Sequence, residues 1–154
     1  MKILTISASD TGVGGASRIA LDLHHAYIER GIDSSFLSGT GEKSALPHFY
    51  SIPKQRLRKI FAYLVANDLE FFNSDFIFQQ EYYQSADIVH FHNIHGGYFN
   101  LTTFARICGE KQVVWTLHDQ WSMTAHCAHS SAEKTEDGFY VCDSLQSYQI
   151  GRAH

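Results

Sequence analysis

The sequence predicts an α/β domain: a parallel sheet with helices on both faces. Three observations carry that prediction. Short apolar runs suited to buried strands alternate with stretches of helical periodicity. A loop with three glycines joins the first such run to the first helix. Histidines and small polar residues gather where the strands end, and ligands bind beyond the carboxyl ends of strands in sheets of this kind.

The first strand spans Ile3 to Ile6, and the loop Ser7–Gly15 follows it. Ala16, Ile19, Ala20, Leu23, Ala26 and Tyr27 then recur at helical spacing as the expected buried stripe. Arg18, Asp22, His25 and Glu29 take the opposite face. Strand, glycine loop and helix together aim unpaired backbone N–H groups and a positive dipole end at an anion. A glycine also lets the backbone come close to a phosphate, because it has no Cβ. The competing reading is a tight β–α turn that needs glycine only for its dihedral angles.

Gly31 stands where a helix C-cap glycine belongs, and Asp33 to Ser38 reads as a second strand. The stretch Leu46–Ile52, between Pro47 and Pro53, suits a short extended piece. Pro53 fits the first turn of a further helix, with Leu57, Ile60, Phe61 and Leu64 as its stripe. Lys54, Arg56, Arg58 and Lys59 crowd its start. They suit either a solvated face or contact with an anionic membrane surface, and the solvated face is preferred. Leu69 to Tyr83 is rich in aromatic residues and reads as more helix. Ala86 to His92 is a third strand, running into the loop Asn93–Gly97. Leu101, Phe104, Ala105 and Cys108 repeat as a helix closed by Gly109. Gln112 to Leu117 is another strand, ending at His118 and Asp119.

Bulk properties narrow the class. At 154 residues, with 44% hydrophobic and 18% charged residues, the chain has the length of one soluble domain. A net charge of -4 argues against a general nucleic-acid binder. No segment reads as a signal peptide or a membrane span, so a cytoplasmic protein is expected. The 3 cysteines suit reduced thiols better than a disulfide framework. Histidine is abundant, at 10 residues.

The candidate chemistry lies at the strand ends. His118 can bond a substrate hydroxyl or share a proton with it, and Asp119 can orient His118 or bind a hydroxyl itself. Asp119 can equally cap the next turn while His118 packs beneath it. His90 and His92 share a strand face and could form half of a zinc site. A sugar- or phosphate-binding loop with Asn93 and His95 is the preferred reading. Cys127, His129 and Cys142 are weak metal candidates, since their spacing fits no common zinc pattern. The glycine loop only half matches the dinucleotide fingerprint. Ser17 replaces the third small residue, and no acid follows the second strand.

Three stretches carry a resemblance to a known family. They are Gly14-Gly15-Ala16-Ser17-Arg18 with the helix that follows, Asp87 to Gly97, and Val113 to Cys127. Together they resemble the amino-terminal half of a glycosyltransferase family 4 enzyme of exopolysaccharide or colanic-acid type. The resemblance implies one of the two Rossmann-like domains of a GT-B fold. It implies sugar transfer with retention from a nucleotide-sugar donor to a saccharide or lipid-linked acceptor, in cell-surface polysaccharide synthesis. Neither a cofactor nor a metal is implied. Gly14 and Gly15 map near the donor diphosphate, and His118 maps to the histidine that contacts the sugar. Arg18, His92, Asn93 and His95 join the expected substrate contacts, with His118 and Asp119 as the catalytic pair. The carboxy-terminal domain, which in the family binds the nucleotide, has no counterpart here. The piece alone is therefore expected to be inactive and to expose its cleft wall, including Trp121. The alternative is a non-catalytic binding subunit of a split transferase. Residues 1–149 are expected to be the native domain. Ile150 to His154 match what a sequencing adapter encodes in one frame, so 150–154 are expected to be a non-native tail.

Overall fold

The computed structural model describes residues 1–39, 47–53, 57, 58, 60 and 72–122. The elements in order are β1 (Lys2–Ser7), α1 (Gly15–Glu29), β2 (Asp33–Ser38), β3 (Phe49–Ser51), a 3-10 helix (Asp75–Gln79), α2 (Glu81–Gln84), β4 (Ile88–Phe91), α3 (Leu101–Glu110) and β5 (Gln112–Trp115). The five strands form one sheet in the order β3-β2-β1-β4-β5, and every pairing is parallel. This is the Rossmann-like order, in which the chain steps outward from β1 in one direction and then returns to continue in the other.

Two apolar clusters lie on opposite faces of the sheet. On one, Ala20 and Leu21 of α1 pack with Phe36 and Phe49. On the other, Leu4, Ile6, Leu37, Val89 and Phe91 meet Ile107 of α3 and Ile77 of the 3-10 helix. Phe36 and Leu37 are neighbours, so they point to opposite faces. Both are fully buried, which shows that helices cover this part of the sheet from both sides, as the sequence predicts.

The helices correct the expected stripes. In α1 the buried residues are Ser17, Ala20, Leu21 and His24, while Ile19 is exposed. The stripe is rotated because a histidine takes a core position. Edge-to-face contacts with Phe36 and Phe49 and a 2.8 Å hydrogen bond between its Nδ1 and Ser34 Oγ accommodate it there. Helix α1 ends as expected: Gly31 has φ 73°, Gly31 N–H bonds Ile28 O, and Ile32 N–H bonds Tyr27 O. Those two bonds define a Schellman C-cap. In α3 the buried residues are Thr103 and Ile107, Cys108 is exposed, and the helix runs through Gly109 to Glu110 rather than closing there. Asn100 caps its start, accepting from the backbone N–H of Thr102 and Thr103. Leu57 and Ile60, expected to pack, are exposed. The rest of that stripe and Lys54, Arg56 and Lys59 lie outside the described residues. The aromatic stretch before β4 holds the short 3-10 helix and α2 rather than one continuous helix. No helix among the described residues is long and apolar enough to cross a membrane.

This packing generates two stability predictions. A Cβ on Gly39 would meet Ala8 O at 2.8 Å and the Tyr98 ring at 2.8 Å, whereas one on Gly109 would meet nothing within 4 Å. Gly39→Ala should lower the unfolding free energy by about 1–3 kcal/mol. Gly109→Ala should raise it by about 0.5–1 kcal/mol, since alanine favours a helix interior. Urea denaturation of the two variants checks both signs. The second prediction concerns pH. Burial, aided by repulsion from His25 and His48, lowers the His24 pKa to about 4. The folded state therefore favours the neutral ring. Its contribution is complete above the ordinary histidine pKa and is lost as pH falls from there towards 4. His24→Gln should flatten the stability profile over that window by about 1.4 kcal/mol per pH unit. An unchanged profile from pH-dependent denaturation would refute this.

Candidate functional site

The sheet order reverses at β1, and the two strands flanking that point are β1 and β4. Their register pairs Ile3 with Ile88 and Ile6 with Phe91, so the loops that follow leave the sheet side by side. His92 N–H bonds Ile6 O at 3.0 Å and Gly39 N–H bonds Ser7 O at 3.0 Å, which carries the pairing one residue past the strands. Trp115 pairs with Phe91, and Thr116 N–H bonds Phe91 O, so the end of β5 joins the same edge.

The glycine loop takes an open shape. Gly12 has φ 71° and Gly14 φ 86°, a region that side chains disfavour. Gly14 is the N-cap of α1, and no side chain caps the helix start. No acidic residue occupies the first turn. Cβ atoms built on Gly14 and Gly15 would meet nothing within 4 Å. The loop before them is self-braced by Ser9 Oγ and Thr11 Oγ1, which lie 2.8 Å apart, and by the N–H groups of Thr11 and Val13 that bond them. Arg18 is exposed and pairs with Asp22 through its Nε at 3.0 Å. Asp10 is fully buried at the root of the loop, a position that sequence reasoning missed.

Across the switch point a polar row runs over β4 and β5. Tyr27 Oη lies 3.2 Å from His90 Nδ1, and His90 Nε2 lies 2.8 Å from Thr116 Oγ1. One step further, His92 Nδ1 lies 2.8 Å from His118 Nε2. The His90 and His92 ring centroids are 4.4 Å apart, and those of His92 and His118 are 5.1 Å apart and nearly parallel. Burial, with repulsion from His90 and His118, lowers the His92 pKa to about 3. Burial also lowers His90 and His118, although Asp119 pulls His118 back upward. The row is thus neutral at ordinary pH. It exchanges hydrogen bonds and carries no charge.

A second polar pair closes the other side of the β5 end. His95 Nε2 lies 2.7 Å from Asp119 Oδ2, and Trp121 N–H donates to Asp119 Oδ1 at 3.0 Å. Asp119 therefore caps the next turn and orients a histidine at once. The partner is His95, not the neighbouring His118. Trp121, expected on an exposed wall, is 6% exposed and packs on the His95 ring. That burial corrects the expectation for it. A shallow depression lies between these groups, lined by Asn93, His95, His118, Asp119 and Trp121.

The structure thus brings His118, Asp119, Asn93 and His95 to one depression. It sets Gly14 and Gly15 at the neighbouring strand end. His92, expected among the ligand contacts, is wholly buried and reaches the site through His118. Among the described residues no three His, Cys, Asp or Glu side chains gather as metal ligands. Both ring nitrogens of His90 face hydroxyl partners. Cys127, His129 and Cys142 lie outside the described residues. Tyr27 and Thr116 escaped the sequence reasoning. Thr116 could have been found, because it stands just before His118 at the end of the last run that reads as a strand.

Over 165 aligned positions the chain is 32% identical to a protein of Escherichia coli (strain K12) described, provisionally, as the colanic acid biosynthesis glycosyl transferase WcaC. The alignment takes in 92% of this chain and 40% of that protein, so the chain spans about two fifths of its relative's length. No family model matches the chain, and no solved structure matches it.

Asp119 is the group that raises the His118 pKa. Asp119→Asn should therefore move the His118 titration midpoint to lower pH. It should also weaken the hold on His95. Histidine ring NMR across a pH series reads both, and a midpoint that stays or rises would contradict the electrostatic assignment.

Proposed function

We propose that this chain is the amino-terminal half of a glycosyltransferase of family 4 type with GT-B organisation. It moves a sugar with retention from a nucleotide-sugar donor to a saccharide or lipid-linked acceptor in cell-surface polysaccharide synthesis. The observation that carries this reading is the 32% identity to the colanic-acid relative over nearly the whole chain. The geometry at the switch point supports it. A helix start with open space at Gly14 and Gly15 suits the donor diphosphate, because unpaired N–H groups and the helix dipole favour an anion there. Arg18 stands one turn into that helix. Its exposed ion pair with Asp22 holds it weakly, so a phosphate can compete for the guanidinium.

On the β5 side, His118 supplies a neutral ring near the transferred sugar, and Asn93 and the His95–Asp119 pair supply further hydrogen-bonding groups. The negative charge of the transfer develops on the departing diphosphate, and donors fixed by the fold at the start of α1 would stabilise it without reorganising. The active protein works in the cytoplasm, its second domain closing over the cleft and holding the nucleotide. The relative's greater length is consistent with such a domain.

The test is calorimetric. A panel of nucleotide sugars titrated into this chain should give binding no tighter than the millimolar range, about -4 kcal/mol, since half of the donor site is elsewhere. Backbone amide shifts should move together at Gly14, Gly15, His118 and Asp119. Tight binding would overturn the two-domain reading, and shifts confined to other residues would overturn the site.

A further inference from the structure

We infer that His92 is a positioning residue that locks His118 with its proton on Nδ1, making His118 a hydrogen-bond donor to the cleft rather than a base. His92 Nδ1 and His118 Nε2 lie 2.8 Å apart, so one of the two nitrogens carries a hydrogen and the other accepts it. Burial lowers the pKa of both rings, and at a pH where both are neutral each carries a single ring proton. Two arrangements remain. If His118 donates from Nε2, then His92 must carry its own proton on Nε2. That atom is buried and has no hydrogen-bond partner among the described residues. A stranded N–H there is the rarer and costlier outcome for a buried polar group. If His92 donates from Nδ1, its Nε2 is left with only an unused lone pair. His118 then accepts at Nε2 and must carry its proton on Nδ1.

The surroundings hold this arrangement in place. His92 is fully buried, its carbonyl accepts from Trp115 Nε1–H at 3.0 Å, and its ring lies between those of His90 and His118. Turning the ring to exchange its nitrogens would give up the 2.8 Å contact with His118. His118 borders the depression shared with Asn93 and Asp119, and its Nδ1 is the nitrogen left for a ligand. The group that Nδ1–H suits is an oxygen acceptor. With its Nε2 lone pair already occupied, neutral His118 has no site to take up a proton. That an oxygen of the sugar donor is the acceptor rests on the transferase reading above; the tautomer itself does not.

The experiment is ring nitrogen–proton correlation NMR on the intact chain without ligand, at a pH where both rings are neutral. Wild type should show His92 and His118 both protonated at Nδ1. Protonation of His118 at Nε2 overturns the inference. Two variants test the cause. His92→Asn keeps an N–H donor near the Nδ1 position and should preserve the His118 pattern. His92→Leu should shift His118 to protonation at Nε2, and an Nδ1–H that persists there would show that His92 does not set it. Should the leucine variant fail to fold, the wild-type pattern still decides. A wrong tautomer would leave the transferase reading standing, and absent nucleotide-sugar binding would leave the tautomer standing.

Discussion

The pairing of β1 with β4 is the constraint on which the rest of the molecule depends. It joins strands 85 residues apart at Ile3↔Ile88 through Ile6↔Phe91. Lys2 N–H donates to Asp87 at 2.7 Å where that pairing begins. It reverses the direction in which the sheet grows, so two loops diverge at its end and leave a crevice between them. It also buries Leu4, Ile6, Val89 and Phe91 together, the middle of the larger apolar cluster. Without this register the glycine loop and the histidine loop would not share an edge.

The two faces of this sheet are chemically unlike. The face under α3 and the 3-10 helix is mainly apolar, with Phe91 meeting Phe99 and Phe104 edge to face. The face under α1 carries Thr5, Ser7, Ser34, His24, His90 and His92, all buried. Buried polar groups cost free energy unless bonded. Part of the cost is offset here by side-chain pairs that cross between elements: His24 with Ser34, Tyr27 with His90, and His90 with Thr116, while Thr5 Oγ1 and Ser7 Oγ find no partner among the described residues. Such pairs have fixed geometry, so they hold rings in place more strictly than apolar contacts would. The row ends at His118, beside the depression.

That arrangement gives the proposed transfer a preorganised edge. The uncapped start of α1 lies on the β1 side, and the His118 ring, held from beneath by His92, lies on the β5 side. His95, Asp119 and Trp121 form a separate braced unit at the same edge, so the two histidines near β5 are held by different partners. One is tied to a buried ring and the other to a carboxylate.

Strand positions, the parallel arrangement, the C-cap at Gly31 and the edge where polar residues gather were legible in the sequence. They follow from local periodicity and from glycine stereochemistry, which act over a few residues. The burial of particular side chains was not. Periodicity assigned Ile19 and Cys108 to the interior and kept His24 out of it, because a hydropathy pattern cannot see Phe36, Phe49 and Ser34 waiting to receive a histidine. Asp119 lies next to His118 in the chain but bonds His95, and His92 bonds His118 from 26 residues away. Sequence by itself determined which residues with useful chemistry reach the carboxyl edge of the sheet. Only the tertiary structure decided which of them meet, because that choice depends on the register between β4 and β5, set by packing across the whole sheet.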